Sequence, residues 1–470
     1  MKLLKVKNEN KTVLSINGEP EEITGVLARY SRSLRSIEEI IAEFNNKDNN
    51  KLVKKIVDDY GHSSIINMGY LSCCIEGISF LGLLNIFNRC PLQGGQERST
   101  RYINLNRTKN LINNISDNKE KINNNIQPLY EKVKGSDHIY KYWYLKYEEL
   151  NKFTFNYLEQ EFKVNSKDEK TSCKLRTLDC IRYLLPMGTL TQGGLIQSGR
   201  EWSKLIRYLK NKGTQEEIII TNLLEEVLTK YDNSIGKNLI RHIDNKDNIK
   251  EEDIKNILKN YKELFIEEDL EKDDDIRLIS NKNIEINKLI NIYYPDVIKI
   301  KKGNNLRSKL EKEIIEYIIK TSDHKFELDT EFRSIGNYNF IGKIDLGTLT
   351  DLNRHRGCFF IPFLDKNYTN IKIKKGKDNT YRHLYSLPYY LEIEKLKKLK
   401  NKYIETFEEG FKLIENSIKT NKLEGQEIKY LLPKAYRVKY YLSLDINRII
   451  YILSLRGKET GHLGYRMFSY

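Results

Sequence analysis

The sequence predicts an α+β protein of two tandem units, each an antiparallel sheet packed with helices, related by a pseudo-twofold axis. Helix-like periodicity and β-like alternation both occur, and they occur twice in the same order along the 470 residues. Between the two occurrences, residues 247–275 are mostly charged, which is typical of a surface connection. We therefore expect a first repeat over residues 1–245 and a second repeat over residues 246–470.

The first repeat starts with two predicted helices between Ile23 and Asp58. A β-like stretch follows at Met68–Ile75 and leads into an apolar run at Ile78–Phe87. Later, Leu184-Leu185-Pro186 and a glycine-bearing segment precede an amphipathic helix that starts at Arg200. One repeat can therefore form a sheet with helices packed on it.

The second repeat has the same order of segments with different residues. A β-like stretch runs through Phe332 and Tyr338, Leu431-Leu432-Pro433 matches the earlier Leu-Pro segment, and an apolar helix covers Ile449–Leu455. The repeat is roughly 230 residues long, which exceeds the length of solenoid repeats and indicates a tandem pair of domains.

Composition restricts the class of protein. With 39% hydrophobic residues and no apolar run of about twenty residues, we expect a soluble, cytoplasmic protein without a membrane span. The six cysteines lack the spacing of a zinc site, and we expect no metal. A formal charge of +15 favours anionic partners, yet the abundance of Lys, Asn, Ile and Tyr can itself reflect base composition, so nucleic acid remains an open partner.

Two segments have the chemistry of anion sites. Arg354-His355-Arg356 places two permanent cations beside a titratable ring, which suits a nucleotide or a flavin; the alternative is a solvated basic turn. In the first repeat, Gly94-Gly95 permits a sharp turn before Glu97-Arg98-Ser99-Thr100-Arg101-Tyr102. The guanidinium, hydroxyl and N–H groups of this loop can bind a phosphate. Its alternative is a polar turn with an incidental basic run.

Taken in order, these residues resemble the flavin-dependent thymidylate synthases. Units of that family have a Gly-His pair before a strand, an Arg-His-Arg triplet, a loop ending Ser-x-Arg-Tyr, and a Leu-Pro segment before a helix ending Leu-Arg. The first repeat has Gly61-His62, the loop ending at Tyr102, and Arg182 before its Leu-Pro segment. However, Asn88-Arg89-Cys90 replaces the triplet, and Asn67-Met68 replaces the expected Glu-His pair.

The second repeat shows the complementary set of motifs. It has the triplet Arg354-His355-Arg356 and a helix ending Leu455-Arg456, whereas Asp365-Lys366-Asn367-Tyr368 stands at the place of the Ser-x-Arg-Tyr loop. Family enzymes are homotetramers with active sites at subunit interfaces. The resemblance therefore implies a composite site between two fused units that are similar to thymidylate synthase complementing proteins. It also implies a homodimer that forms a pseudo-tetramer.

The resemblance assigns roles residue by residue. A deoxyuridine nucleotide is expected to contact the loop, the basic residue near each Leu-Pro segment and the last helix: Glu97, Arg98, Ser99, Thr100, Arg101, Arg182, Lys429 and Arg456. FAD is expected to contact the triplet Arg354, His355 and Arg356, with further candidates at His62, Ser64, Arg200 and Asn447.

Two of these residues are expected to take part in the chemistry. Arg456 would polarise a pyrimidine carbonyl, with capping of its helix as the alternative. Ser99 would act as a phosphate or ribose donor rather than as a nucleophile, since no histidine lies near it in sequence. Arg182 keeps two interpretations: a nucleotide contact, or the buried partner of a nearby carboxylate such as Asp179.

The implied activity is transfer of a one-carbon unit from methylenetetrahydrofolate to carbon 5 of deoxyuridine monophosphate. Reduced FAD would be the hydride source and NADPH its reductant. The sequence has no GxGxxG motif, so a Rossmann-type flavin site is not expected. A function of another class remains open, since a fold does not establish an activity. The chain could be a decayed paralogue that binds a nucleotide or nucleic acid, or an assembly subunit, without turnover.

Overall fold

A computed structural model describes the backbone of the following residues: 2–8, 11–31, 33–45, 66–89, 94–101, 103, 136–230, 239–240, 243–244, 256, 260, 276–278, 304–321, 337–352, 359–362, 371–421, 423, 425–456 and 466. Their helices and strands form a mixed α+β structure with antiparallel sheets, as the sequence predicts. The elements in chain order are β1 (Lys2–Asn8), β2 (Lys11–Asn17), α1 (Pro20–Tyr30), α2 (Ile37–Asn45), β3 (Tyr70–Ser79), α3 (Phe80–Arg89), β4 (Gly94–Glu97), α4 (Asp137–Glu161), α5 (Lys167–Ile181), β5 (Leu190–Ser198), α6 (Gly199–Lys212), α7 (Gln215–Glu225), β6 (Arg277–Leu278), α8 (Asn304–Thr321), β7 (Asn337–Asp345), α9 (Leu346–Leu352), β8 (Phe359–Pro362), α10 (Lys397–Asn421), α11 (Gly425–Leu431), β9 (Arg437–Asp445) and α12 (Ile446–Arg456).

The chain divides into two compact lobes. Lobe 1 comprises Met1–Ile78, Leu92–Glu97 and Gln192–Glu267, and lobe 2 comprises Ser79–Pro91, Arg98–Thr191 and Glu268–Tyr470. Lobe 2 contains segments of both predicted repeats, so compactness does not test a boundary near residue 245. That boundary stays a prediction.

Lobe 1 holds the β1–β2 hairpin and most of a three-stranded sheet in which β5 lies between β3 and β4. Helix α6 packs on this sheet through Trp202, which is fully buried and donates its indole N–H to the carbonyl of Leu71 at 3.0 Å. An indole can be buried at this point because its one polar hydrogen has an acceptor. The amphipathic helix predicted from Arg200 onward is therefore confirmed.

Lobe 2 holds a four-stranded antiparallel sheet in the order β6-β7-β9-β8. Helices α4 and α10, each 25 residues long, pack against each other through aromatic side chains. Trp143 lies 6.0 Å from Phe407 and 6.4 Å from Phe411 between ring centroids. Because these rings are fully buried, they supply a large share of the apolar burial that stabilises lobe 2.

The two Leu-Pro segments cross each other in lobe 2 with a locally twofold pattern of backbone hydrogen bonds. Met187 donates its N–H to the carbonyl of Leu432 at 2.9 Å, and Lys434 donates to the carbonyl of Leu185 at 2.8 Å. One step further along, Gly188 donates to Tyr430 and Ala435 donates to Tyr183. The match between Leu184-Leu185-Pro186 and Leu431-Leu432-Pro433, seen in the sequence, thus reappears as a pair of equivalent backbone paths.

Four strands run directly into helices, and each junction has the same cap. Ser79 accepts a hydrogen bond from the backbone N–H of Gly82, and Ser198 accepts one from Glu201. In the second repeat, Asp345 caps α9 at the N–H of Thr348 and Asp445 caps α12 at the N–H of Arg448. A side-chain oxygen at this position satisfies one of the helix N–H groups that lack an intrahelical acceptor.

None of the helices in the described part of the chain is long and apolar enough to cross a membrane.

Candidate functional site

The loop predicted to bind a nucleotide begins at the end of β4, where Glu97 pairs with Gly193 of β5. Arg98 and Ser99 are half-buried, and Thr100 is buried. The hydroxyl of Ser99 accepts the backbone N–H of Arg101 at 3.2 Å, which closes a small turn. Both interpretations of this loop, anion site and polar turn, are compatible with such a turn, because Ser99 retains a hydroxyl proton that it can donate.

Arg101 anchors the loop to helix α5. Its Nε donates to Oδ1 of Asp179 at 2.9 Å, and the Arg101 side chain is 18% exposed whereas that of Asp179 is 2% exposed. An ion pair with one buried carboxylate and one partly exposed guanidinium connects the solvent side of the loop to the interior of lobe 2. The loop therefore has a defined path toward the buried residues described next.

Arg182 follows directly after α5 and lies in the core of lobe 2. Its NH2 group donates to Oδ2 of Asp351 at 2.6 Å and to the carbonyl oxygen of Gly347 at 3.1 Å. The two side chains are 2% and 4% exposed. Arg182 is therefore the buried partner of a carboxylate that is distant in sequence, Asp351. Its contact with a nucleotide stays a prediction.

Asp351 is close in sequence to the predicted flavin triplet. It lies in α9, which ends at Leu352, and Arg354 follows two positions later. Gly347, in the same helix, lies close to two charged groups, since a Cβ at that position would lie 3.2 Å from Oδ1 of Asp345 and 3.4 Å from the NH2 group of Arg182. Arg182 thus contacts α9 at Gly347, near its start, and at Asp351, near its end.

A second polar contact secures the start of α9. Asp345 accepts the backbone N–H of Thr348 at 2.7 Å and its hydroxyl at 2.9 Å, and that hydroxyl lies 3.5 Å from the phenol oxygen of Tyr183. Tyr183 belongs to the same turn as Arg182. Helix α9 is therefore held to the Arg182 segment at both ends.

Burial determines the electrostatics of this cluster. Burial opposes the positive charge of Arg182, but the nearby Asp351 and, more weakly, Tyr183 and Asp179 together raise the pKa of Arg182 above its ordinary value. Burial raises the pKa of Asp345 to about 6, against the hydrogen bonds from Thr348 and the charge of Arg182. Asp179 thus acts on Arg101 by direct contact and on Arg182 through space.

The remaining predicted residues are distributed over several elements. Lys429 is buried in α11, at the place in the second repeat that Arg182 has in the first. Arg200 is half-buried in the first turn of α6, and Asn447 is buried in the first turn of α12. Arg456 closes α12, and its side chain is outside the described part of the structure. Six predicted residues lie outside the described part of the structure, and their roles stay predictions: His62, Ser64, Tyr102, Arg354, His355 and Arg356.

Sequence reasoning missed Asp345 and Asp351. One available signal was the spacing of Asp345 and Thr348, a helix N-cap followed by its N3 residue, directly after a β-like run. Nothing local indicated that Asp351 would meet Arg182, because 169 positions separate them. Among the described residues, no group of three or more His, Cys, Asp or Glu side chains is arranged to hold a metal ion.

Comparison with known proteins agrees with the resemblance. Residues 12–235 match the family model described as thymidylate synthase complementing protein. UPF0159 protein Ta1429 of Thermoplasma acidophilum is 24% identical over 94% of this chain and 89% of its own length. UPF0159 proteins of Chlamydia muridarum and Chlamydia pneumoniae are 20% and 21% identical over 99% and 98% of the chain.

The matched segment contains the loop from Glu97 to Arg101, Asp179, Arg182 and the first Leu-Pro segment. These are the residues that join the loop to the buried ion pairs of lobe 2. Residues 12–235 are thus similar to the thymidylate synthase complementing protein family.

Proposed function

We propose that the protein is a flavin-dependent, thymidylate synthase-like enzyme. It would transfer a one-carbon unit from methylenetetrahydrofolate to carbon 5 of deoxyuridine monophosphate, at a composite site with groups from both repeats. The observation that carries the proposal is the series of two ion pairs, Arg101–Asp179 and Arg182–Asp351. It joins the loop, the first Leu-Pro segment and the helix before the triplet, which are separate in sequence.

The nucleotide would bind at the loop from Glu97 to Arg101. A phosphate group needs cations and N–H or O–H donors, and Arg98, Ser99, Thr100 and Arg101 supply both kinds within a few residues. Arg101 is the partly exposed end of the buried series, so an anion can reach it from solvent. Arg456 would polarise a carbonyl of the pyrimidine and raise the electron density at carbon 5.

FAD would be held by Arg354, His355 and Arg356, with Asn447 as an additional contact; the roles of Arg200, His62 and Ser64 stay predictions. Asn447 fits the cofactor chemically, because its amide can donate to a phosphate or flavin carbonyl oxygen from the first turn of α12. When bound and reduced, FAD supplies a hydride, and NADPH restores the reduced form.

The task of the protein in this reaction is orientation. The methyl group of the product takes its carbon from the folate and one hydrogen as hydride, while carbon 5 loses a proton. Three reactants must therefore meet in one geometry, which a rigid scaffold favours by removing their relative freedom before reaction. The buried ion pair of Arg182 supports this role, because it holds α9 to the segment that follows α5.

Two measurements test the proposal. Purified protein should show flavin absorption, or acquire it after incubation with FAD and gel filtration. The reduced, FAD-loaded protein should then be oxidised in a single turnover by deoxyuridine monophosphate together with methylenetetrahydrofolate, but by neither alone. Absence of FAD binding, or FAD binding without this turnover, would reject the enzymatic proposal.

The second candidate is a nucleotide-binding or nucleic-acid-binding paralogue, or an assembly subunit, without turnover. One observation favours it: Arg101 and Arg182, two predicted substrate contacts, already bind carboxylates of the protein. Under this alternative the protein binds deoxyuridine monophosphate or a single-stranded oligonucleotide but leaves the reduced flavin unoxidised. The single-turnover measurement separates the two candidates.

We also infer that two chains associate as a homodimer, which forms a pseudo-tetramer of four repeats. The support is the pair of equivalent Leu-Pro paths and capped junctions, one set in each repeat. Light scattering should give a mass of about twice the 55.6 kDa chain. A monomer at micromolar concentration would contradict this arrangement.

A further inference from the structure

A cluster of exposed cations lies in lobe 2 on the segment that precedes α10. Residues 372–383, which we call the basic turn, carry five permanent cations and one carboxylate, that of Asp378. Like charges at such short separations repel one another, so the cluster lowers stability until a partner neutralises it. All five cationic residues are exposed: Lys372, Lys374, Lys375, Lys377 and Arg382.

The cations of the basic turn differ from the lysines of α10 in having no counter-charge. On α10, Lys419 pairs with Glu415 at 2.8 Å, and two further lysines of the helix have carboxylate partners as well. Within the described part of the chain, none of the five cations of the basic turn forms an ion pair with a carboxylate. Lys375 instead lies over the ring of Tyr381, 5.8 Å from its centroid. The positive charge of the basic turn is therefore available to an anionic ligand.

Backbone hydrogen bonds give the basic turn one defined conformation. Gly376 donates its N–H to the carbonyl of Thr380 at 2.7 Å, and Asn379, with a left-handed φ of 60°, donates to the carbonyl of Gly376 at 3.0 Å. Asp378 accepts the N–H of Thr380 at 3.1 Å and its hydroxyl at 2.7 Å. Such a turn reverses the chain, so that His383 lies beside Gly376, where an added Cβ would be 3.0 Å from Nδ1. The cations before and after the turn are thus brought close together.

Helix α10 fixes the base of the basic turn. The carboxylate of Glu408 accepts the backbone N–H of Tyr381 with both oxygens, at 3.0 and 2.9 Å, and also accepts the phenol proton of Tyr385 at 3.1 Å. Arg382 donates from NH1 to the carbonyl of Tyr385 at 2.7 Å. A backbone that is already ordered loses little conformational freedom when a ligand binds, which favours association.

The side chains of the basic turn indicate the kind of partner. A segment that binds a membrane inserts apolar side chains, and a protein interface has an apolar centre. Here the apolar groups face the interior instead, since Ile373 and Tyr381 are 3% and 2% exposed. The phosphates of a nucleic acid bind Lys and Arg through charge and need no apolar contact. A buried ring also cannot stack on a base, so contact with the backbone is expected and contact with the bases is not.

We infer that the basic turn binds the phosphate backbone of nucleic acid without reading its sequence. The inference uses none of the residues assigned to the deoxyuridine nucleotide or to FAD, so it goes beyond the proposed function and does not depend on it. Backbone binding at the basic turn is compatible with turnover at the proposed site. The single-turnover measurement therefore still decides whether the protein is an enzyme.

The test is the dissociation constant of a fluorescently labelled single-stranded RNA of mixed sequence, measured by anisotropy between about 50 and 200 mM salt. A triple variant, Lys372→Gln with Lys374→Gln and Lys377→Gln, should weaken binding at least about tenfold at the lower salt concentration. The plot of log K against log salt should become less steep by about two, as three contacts with a single strand predict. Single-stranded DNA of the same length should bind within about threefold of the RNA, because only phosphates are contacted.

Two further triple variants provide the controls. Lys→Arg at the same three positions keeps the charge and should bind within about twofold of the unaltered protein, which excludes a purely structural role of the lysines. Lys309→Gln with Lys312→Gln and Lys320→Gln removes the same charge from α8, where Lys309 and Lys312 lie 4.0 and 3.7 Å from carboxylates. This variant should change the affinity by less than about twofold, because cations that contact no phosphate release no counterions. Thermal melting followed by circular dichroism verifies that each variant is folded.

Four results would overturn the inference. They are absence of binding to either nucleic acid, equal weakening by the two Lys→Gln triple variants, a preference of more than about tenfold for RNA over DNA, and cosedimentation with phosphatidylserine vesicles in place of nucleic-acid binding. If the protein binds RNA at the basic turn but neither retains FAD nor turns over, the inference stands and the proposed function fails.

Discussion

The two Leu-Pro segments of lobe 2 follow equivalent backbone paths but differ in the buried charges beside them. In both, a helix starts with N–H groups that donate to the residues after the proline: Phe80 to Thr189, and Leu346 to Tyr436. Arg182 stands before the first Leu-Pro segment and Lys429 before the second. At the same distance from the cap of its helix, α9 carries Asp351 and α3 carries Asn85.

The difference shows which part of the repeat belongs to the scaffold and which to the site. Backbone hydrogen bonds and caps occur in both copies, so the fold requires them whatever the chemistry. The Arg182–Asp351 ion pair joins the residue before the first Leu-Pro segment to helix α9. We expect the working site to lie on the side of the molecule that has this pair.

The largest effect should come from breaking that ion pair. Asp351→Ala leaves the buried Arg182 without its closest counter-charge and should lower the free energy of unfolding by about 3–5 kcal/mol. Asn85→Ala, the equivalent change in α3, removes no charge and should cost about 1 kcal/mol. Urea denaturation followed by circular dichroism measures both. Equal losses in the free energy of unfolding would mean that Asp351 and Asn85 contribute equally to stability.

A double substitution sharpens this comparison. Arg182→Met combined with Asp351→Leu removes both charges and keeps the volume filled, so it should cost less than Asp351→Ala alone. If the double variant is the less stable of the two, the ion pair itself contributes net stability.

A smaller effect is expected at Gly188, the glycine that follows the first Leu-Pro segment. A Cβ at Gly188 would lie 2.3 Å from the hydroxyl of Tyr140 and 3.0 Å from the carbonyl oxygen of Tyr430. The equivalent residue after the second Leu-Pro segment is Ala435. Gly188→Ala should therefore lower the free energy of unfolding by about 1–3 kcal/mol through overpacking. Ala435→Gly should cost less than about 1 kcal/mol. The melting temperatures of the two variants give the order, and the reverse order would contradict the packing at Gly188.

A further comparison concerns pH at the caps of α9 and α3. Asp345 has a pKa of about 6 in the folded protein, above its ordinary value of 3.8. Between these values the folded state binds more protons than the unfolded state, so the contribution of Asp345 to stability falls as pH rises from about 4 to 6. The stability difference between the unaltered protein and Asp345→Asn should change across this window and level off above it.

Ser79 provides the control, because it caps α3 without titrating. The difference between the unaltered protein and Ser79→Asn should stay constant over the same pH range. A flat difference for Asp345→Asn would mean that Asp345 has an ordinary pKa in the folded protein.

Local patterns predicted much of the fold. Ile37, Ile40 and Ile41, which have helical spacing, lie in α2, and the apolar run at Ile449–Leu455 lies in α12. These features depend on neighbours in sequence, so periodicity reveals them. The order of segments also predicted the equivalence of the two Leu-Pro segments, although not that they cross in one lobe.

The site was less accessible to sequence reasoning. Loop residues such as Arg98 and Arg101 stand out by composition, but the partner of Arg182 was uncertain because ion pairs join distant segments. Asp179, the neighbour of Arg182 in sequence, pairs with Arg101 instead. Asp351 lies in an apolar helix whose own sequence gives no reason to expect a buried carboxylate. Pairings of this kind follow from tertiary packing, which local pattern does not determine.

The central claim is that one FAD site forms at the Arg354–Arg356 triplet and none at its counterpart in the first repeat. Retention of FAD through gel filtration tests it in Arg356→Ala and in Arg89→Ala, both loaded with excess FAD. We predict that Arg356→Ala loses the flavin, whereas Arg89→Ala retains as much as the unaltered protein. Equal retention in the two variants, or equal loss, would contradict the assignment of the flavin site to the second repeat.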